Sequence, residues 1–251
     1  MKKILVAIGG GENGRILENG DKTPYETNII DDEIIKLTNK KSPNFLFIGH
    51  AMNFNEEIEI SYYETMKKIY QEKGSNCKNI MGSELHNITI TQEKINWADI
   101  IYVGGGDTLS MIKLWKKTGF DKILKEAWEN GKIICGISAG AVCWFNSCNS
   151  ETEDNEFIEI ECLNWYNLFV TPHINEKGRY ESTKEQLKNN KKVGLMLSNC
   201  SAIEIIDDKY RIIISKNNAY CKKGYWSCNK YIEVELSTMS GFKKIIELLK
   251  K

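Results

Sequence analysis

Gly136-Ile137-Ser138-Ala139-Gly140 sets a serine between glycines, after the apolar run Lys132-Ile133-Ile134-Cys135 and before Ala141-Val142-Cys143-Trp144-Phe145. A strand-like segment before the serine and a helix-like one after it place a nucleophile at a tight strand-to-helix turn. Small neighbours let the backbone bend sharply, so the hydroxyl projects from the turn instead of packing into it. The same turn aims N–H groups of the new helix at a reacting carbonyl, where negative oxygen develops during acyl transfer. A competing reading makes Ser138 the N-cap of the helix that begins near Ala139.

A serine nucleophile needs a base to take its proton and a group to orient that base. The chain holds three histidines. His86, in the polar Glu84-Leu85-His86-Asn87, reads as a surface residue. His50 follows the strand-like stretch 45–49, and His173 closes Leu168-Phe169-Val170-Thr171-Pro172-His173, where Pro172 stiffens the turn. Position favours His173 and leaves His50 open. Glu151, Glu153 and Asp154 lie between Ser138 and His173 as candidate orienting acids. The order serine–acid–histidine is that of α/β-hydrolases, but here it is packed into a much shorter stretch.

A second glycine cluster, Gly104-Gly105-Gly106, ends the apolar run 98–103. No Gly-Lys-Ser/Thr follows it, which excludes a Walker-type phosphate loop. Asp107, Thr108 and the distant Gly119 do not fit a dinucleotide fingerprint. Thr108 reads as the N-cap of the next helix.

The elements that must position these groups alternate along the first two-thirds of the chain. Stretches 3–8, 44–49, 98–103 and 132–137 read as apolar strands, and 88–90 as a short one. Stretches 31–38, 60–72, 108–115 and 121–129 read as helices, the last two broken at Thr118-Gly119. Continuous apolar strands separated by helices predict a mostly parallel sheet flanked by helices. Such sheets bind ligands at the carboxyl ends of their strands, the edge that both the 104–106 loop and the Ser138 turn occupy. The last third turns β-rich, with strands at 168–171, 193–197, 202–206, 210–215 and 231–236 and a closing helix near 241–249. No linker or repeat divides residues 1–251, which read as a single α/β domain.

Composition narrows the partners. Lys+Arg and Asp+Glu balance at 34 each in 251 residues, so no global field favours nucleic acid or an anionic membrane. No apolar run has the length of a membrane span, and the first nine residues read as a buried strand, not a secretory signal. The eight cysteines include no Cys-x-x-Cys pair. They read as reduced thiols in a cytoplasmic protein, and no histidine falls at zinc-ligand spacing from them.

Gly104-Gly-Gly-Asp-Thr108, Gly136-Ile-Ser-Ala-Gly-Ala141 and Thr171-Pro-His173, in this order, resemble the peptidase E family of serine peptidases. Relatives of that family include aspartyl dipeptidases and cyanophycinases. The opening Ala7-Ile-Gly-Gly-Gly-Glu12 and the run Cys143-Trp-Phe145 fit bacterial members, and the resemblance is strongest over 101–179. It implies a fold similar to class I glutamine amidotransferases (flavodoxin-like), with serine in place of their nucleophilic cysteine. Position by position it implies Ser138 as nucleophile, His173 as base and Glu151 as the acid, with Glu153 or Asp154 as alternatives. It implies an oxyanion hole formed by the Ala139 amide and an amide of Gly105 or Gly106.

Selection of an N-terminal aspartate would require a cation; Arg179, close after His173, is the candidate substrate-binding residue, and Arg15, after the first glycine loop, could reach the same edge. The expected activity is hydrolysis of short peptides through an acyl-enzyme, with no metal or organic cofactor. Hydrolysis of a non-peptide ester or amide, or ligand binding without catalysis, are the alternatives.

Overall fold

The computed structural model describes residues 1–251 apart from Glu18, Phe54, Glu153, Met239 and Ser240. The chain runs through β1 (Ile4–Ile8), α1 (Asn28–Leu37), β2 (Asn44–Ile48), α2 (Glu56–Glu72) and β3 (Asn76–Ile80). A 3-10 turn (Gly82–His86) leads to α3 (Ile88–Trp97), β4 (Ile100–Val103), α4 (Thr108–Thr118), α5 (Phe120–Glu129), β5 (Ile133–Ile137) and the four-residue α6 (Ala139–Val142). There follow β6 (Phe145–Glu151), β7 (Phe157–Glu161), β8 (Tyr166–Thr171), α7 (Arg179–Asn190) and β9 (Val193–Leu197). The chain closes with β10 (Ser201–Ile206), β11 (Lys209–Ile214), β12 (Cys221–Ser227), β13 (Lys230–Glu235), β14 (Lys243–Lys244) and α8 (Ile245–Leu249).

Among the described residues these strands form two sheets, an eight-stranded one ordered β14-β11-β10-β1-β5-β4-β2-β3 and a six-stranded one ordered β13-β12-β9-β8-β6-β7. Strands β1 to β5 are mutually parallel where they pair, and β10, β11 and β14 extend the first sheet antiparallel. Every residue of β1 and β5 is buried. Alternate β1 side chains serve opposite faces. Val6 and Ile8 pack with Ile30, Phe47, Met66 and Tyr70. Leu5 and Ala7 join a larger core that also takes Cys148, Leu168 and Leu195 from the second sheet. Burial on both faces is why these strands read as unbroken apolar runs.

The helices start where local chemistry lets them. The Asn55 side chain accepts from the N–H groups of Glu57 and Ile58 to open α2. Asp107, not Thr108, caps α4 by accepting from Ser110 N–H, which moves the predicted cap by one residue. Gly119, left-handed at φ 76°, ends α4 and begins α5.

Three expectations are corrected. Residues 88–90 open the helix α3, because the Asn87 side chain caps it and Thr91 and Ile95 bury one face. The helix after Ser138 lasts only one turn before the chain enters β6. The β-rich portion therefore begins at Phe145, earlier than the last third. No described helix is long and apolar enough to cross a membrane.

The strand register brings the functional turns together. Ile8 pairs with Ile137, and Val103 with Gly136, so the loops after β1, β4 and β5 leave one edge side by side. Strands β8 and β9 run parallel in the second sheet, so His173 and Asn199 both emerge from its carboxyl ends. Residues 198–200 then carry the chain across to β10, beside β1. The two sheets are laced at this edge: His173 N–H donates to Gly9 O at 3.0 Å, and Cys200 N–H to Gly10 O at 2.8 Å.

Candidate active site

Ser138 sits at φ 54° and ψ −116°, a conformation costly for a residue with a side chain and characteristic of a nucleophile turn. The surrounding glycines are required by contact. A β-carbon on Gly136 would stand 2.4 Å from Gly140 O, and one on Gly140 would stand 2.1 Å from Val103 O. Ser138 N–H is anchored on Ile8 O at 3.0 Å. The serine makes no side-chain cap to α6. Its hydroxyl instead faces His173, with Oγ 2.8 Å from Nε2.

His173 is also held at positive φ, 51°. Its Nδ1–H donates to Asn199 Oδ1 at 2.6 Å, which leaves Nε2 unprotonated and ready to accept from Ser138. Asn199 is fixed in turn: its N–H donates to Asn175 Oδ1 at 2.8 Å, and its Nδ2 donates to Glu176 Oε1 at 3.4 Å. Glu176 Oε1 also lies 3.3 Å from Nδ1. The imidazole pKa lies below its ordinary value because burial disfavours the cation; Glu176 and Asn199 oppose that trend, and Arg179 reinforces it. Neutral at rest and faced by a carboxylate once charged, the ring has the character of a general base.

Glu151 does not meet this imidazole. It ends β6, and its Oε2 accepts from Arg179 Nη2 at 2.8 Å, while Nδ1 of His173 is engaged by Asn199 and Glu176. The arginine stands between: it is 6% exposed, its Nη1 donates to Asn149 Oδ1 at 3.3 Å, and its Nε lies 3.6 Å from Glu176 Oε2. Its guanidinium also stacks over Phe157. Arg179 thus faces protein carboxylates, not open space. Asp154 is exposed at the β6–β7 turn, and Glu153 lies outside the described residues. Asn199 is the residue sequence reasoning missed. The sequence places it two residues after the apolar strand at 193–197, but does not say at which edge that strand ends.

His50 is excluded as the base. Trp115 Nε1–H donates to its Nδ1 at 3.0 Å, its Nε2–H donates to Ile80 O at 3.0 Å, and it is fully buried. Burial pushes its pKa down to about 4. His86 is exposed on the 3-10 turn, as its polar neighbours predicted.

Of the expected oxyanion groups, Gly105 adjoins the serine: a β-carbon there would stand 3.2 Å from Ser138 Cβ and 3.7 Å from Oγ. Ala139 opens α6 directly after the serine, so its N–H has no partner within the helix. Gly106 packs against Ala51, where a β-carbon would meet the carbonyl oxygen at 2.2 Å. Gly105 and Ala139 thus both lie against Ser138, Gly105 by contact and Ala139 by chain position. No group of His, Cys, Asp and Glu among the described residues is arranged to hold a metal ion.

Residues 5–213 match the family model described as peptidase family S51. The chain is 24% identical over 237 residues to uncharacterized peptidase YgaJ of Bacillus subtilis, covering 93% of this chain and 97% of that protein. It is 29% identical over 146 residues to uncharacterized peptidase Lin0382 of Listeria innocua, covering 55% of this chain and 68% of that one. A peptidase crystal structure from an acI-B1 actinobacterium superposes with a TM-score of 0.71 at 18% identity, covering 97% of each chain. A putative peptidase E protein from Listeria monocytogenes superposes at 0.61 with 21% identity, covering 85% of this chain and 99% of that one.

Proposed function

The chain belongs to peptidase family S51 and is a serine-type peptidase, and on that footing we propose that it hydrolyses short peptides through an acyl-enzyme on Ser138. The observation that carries this reading is the 2.8 Å contact between Ser138 Oγ and His173 Nε2 at a strained turn. Ser138 Oγ attacks the scissile carbonyl as its proton passes to His173 Nε2. The amides of Ala139 and Gly105 receive the developing oxyanion. His173 then protonates the leaving amine, the C–N bond breaks, and water attacks the ester with the same histidine as base.

Asn199 is assigned the orienting role through its bond to Nδ1, and Glu176 the electrostatic support of the imidazolium. Arg179 and Glu151 are assigned a positioning role behind Glu176. Because the charge of Arg179 faces two carboxylates, Glu151 and Glu176, selectivity for N-terminal aspartate is not assigned to it. Arg15, the other candidate arginine from the sequence, is exposed and paired with Glu12 at 3.1 Å.

The test is a dipeptide and tripeptide library, including N-terminal Asp members, read by mass spectrometry for the parent protein and Ser138→Ala. Cleavage by the parent alone is expected. Cleavage that persists in Ser138→Ala would overturn the assignment of the nucleophile. Turnover of activated esters with no cleavage of any peptide would shift the substrate class to non-peptide esters.

A further inference from the structure

Tyr62, in the middle of α2, reaches over the 104–106 loop beside the serine turn. Its ring packs edge-on against Phe47, with centres 4.9 Å apart. It also closes on the Gly104 backbone, where a β-carbon would stand 2.7 Å from Tyr62 Cε1 and 3.0 Å from Phe47 Cζ. Packed against both, the phenol has a fixed direction.

Its hydroxyl meets the Gly105 N–H across 3.4 Å, a long contact beside the usual separation of about 2.9–3.0 Å. The hydroxyl oxygen accepts there, and among the described residues its own proton has no acceptor. Gly105 is also the residue that abuts Ser138. A donor without an acceptor therefore stands where the Gly105 N–H would meet a tetrahedral oxygen.

We infer that Tyr62 is a third donor of the oxyanion hole, its O–H binding the tetrahedral oxygen together with the N–H groups of Gly105 and Ala139. This rests on the serine-peptidase reading of Ser138 and adds a side chain to a hole otherwise built from backbone. An oxygen about 2.9 Å from Gly105 N and about 2.7 Å from Tyr62 Oη fits between two atoms 3.4 Å apart. Before substrate binds, the weak N–H···Oη contact holds both donors in place. The oxyanion, a stronger acceptor, then takes both. Burial pushes the phenol up to about 12, so it remains a neutral donor wherever His173 can act as base.

The test uses Tyr62→Phe, which keeps the ring against Phe47 and Gly104 and removes only the oxygen. The probe is an alkyl fluorophosphonate: an Oγ–P bond forms at Ser138, the P–F bond breaks, fluoride leaves, and the serine proton passes to His173. Negative charge on the phosphonyl oxygen develops in the same hole. The second-order labelling rate should fall by about 10- to 100-fold, with the melting temperature unchanged. Incorporating 3-fluorotyrosine at position 62, whose more acidic O–H donates more strongly, should match or exceed the parent rate.

A Tyr62→Phe rate within about twofold of the parent would overturn the donor role. So would a fluorotyrosine protein as slow as the phenylalanine one, since a stronger O–H donor would then add nothing to the rate. A parent protein that never labels at Ser138 would overturn the serine reading itself, and the donor role with it.

Discussion

Gly10→Ala puts one methyl group against the His173 imidazole, where the two sheets meet. Its β-carbon would stand 2.1 Å from Asn199 Oδ1, 2.3 Å from His173 Nδ1 and 2.4 Å from His173 Cε1. Ordinary contacts of this kind are near 3.5 Å, so the imidazole and the amide must each retreat by about 1 Å. The Asn199–His173 bond at 2.6 Å and the His173–Ser138 bond at 2.8 Å share that ring and cannot both survive the shift. A misplacement of this size costs about 100-fold in rate.

The residue also sits at φ 155°, so backbone strain of about 1–3 kcal/mol accompanies the collision. Gly20→Ala separates the two effects, because Gly20 is at φ 88° with nothing within 4 Å of an added β-carbon. Fluorophosphonate labelling rates and melting temperatures of both variants against the parent provide the assay. Labelling should collapse in Gly10→Ala and persist in Gly20→Ala. A Gly10→Ala protein that labels at the parent rate would refute the placement of His173 against the first glycine loop.

Asn199→Ala should slow labelling by about 10- to 100-fold by freeing the imidazole tautomer, whereas Glu151→Gln should leave it within about threefold; the reverse pattern would return Glu151 to the role of orienting acid. Because burial lowers the His173 pKa, the neutral base persists below the ordinary value of about 6.5, and labelling should fall to half only at a more acid pH. A half-point at pH 7 or above in the pH–rate profile would contradict that environment. For His50, folded at about 4 against about 6.5 unfolded, the unfolded chain binds more protons between those values. Stability is therefore full above this window and falls by about 3 kcal/mol as pH drops through it. Carbon-detected NMR should show the His50 ring neutral at pH 5, and a charged ring there would contradict its pairing with Trp115 and Ile80.

Much of the fold is legible because the central strands are buried on both faces and carry little but apolar residues, as in Ile4–Ile8 and Ile133–Ile137. Edges and covers are harder. Strand Asn76–Ile80 pairs on one side only and is mostly polar, so it gives no apolar run. Helix Arg179–Asn190 buries Arg179, Thr183 and Leu187, a helical spacing with one apolar member.

At the site, the meeting of Ser138 and His173 is legible from strand endings and glycines. Chain distance is no guide to what meets the imidazole: Glu151 is near Ser138 in sequence, but its strand delivers it to Arg179. Asn199 arrives from a later strand of the second sheet, and two sheets sharing one edge is not a pattern that periodicity reveals. Tyr62 looks like any aromatic residue on a helix until Gly104 and Gly105 are seen beneath it.

Intact-mass spectrometry after fluorophosphonate treatment, with peptide mapping of the adduct, tests most directly whether Ser138 is a nucleophile activated by His173. One adduct on Ser138 is expected, absent from Ser138→Ala and strongly slowed in His173→Ala. An adduct on another residue, or full-speed labelling of His173→Ala, would contradict the assignment.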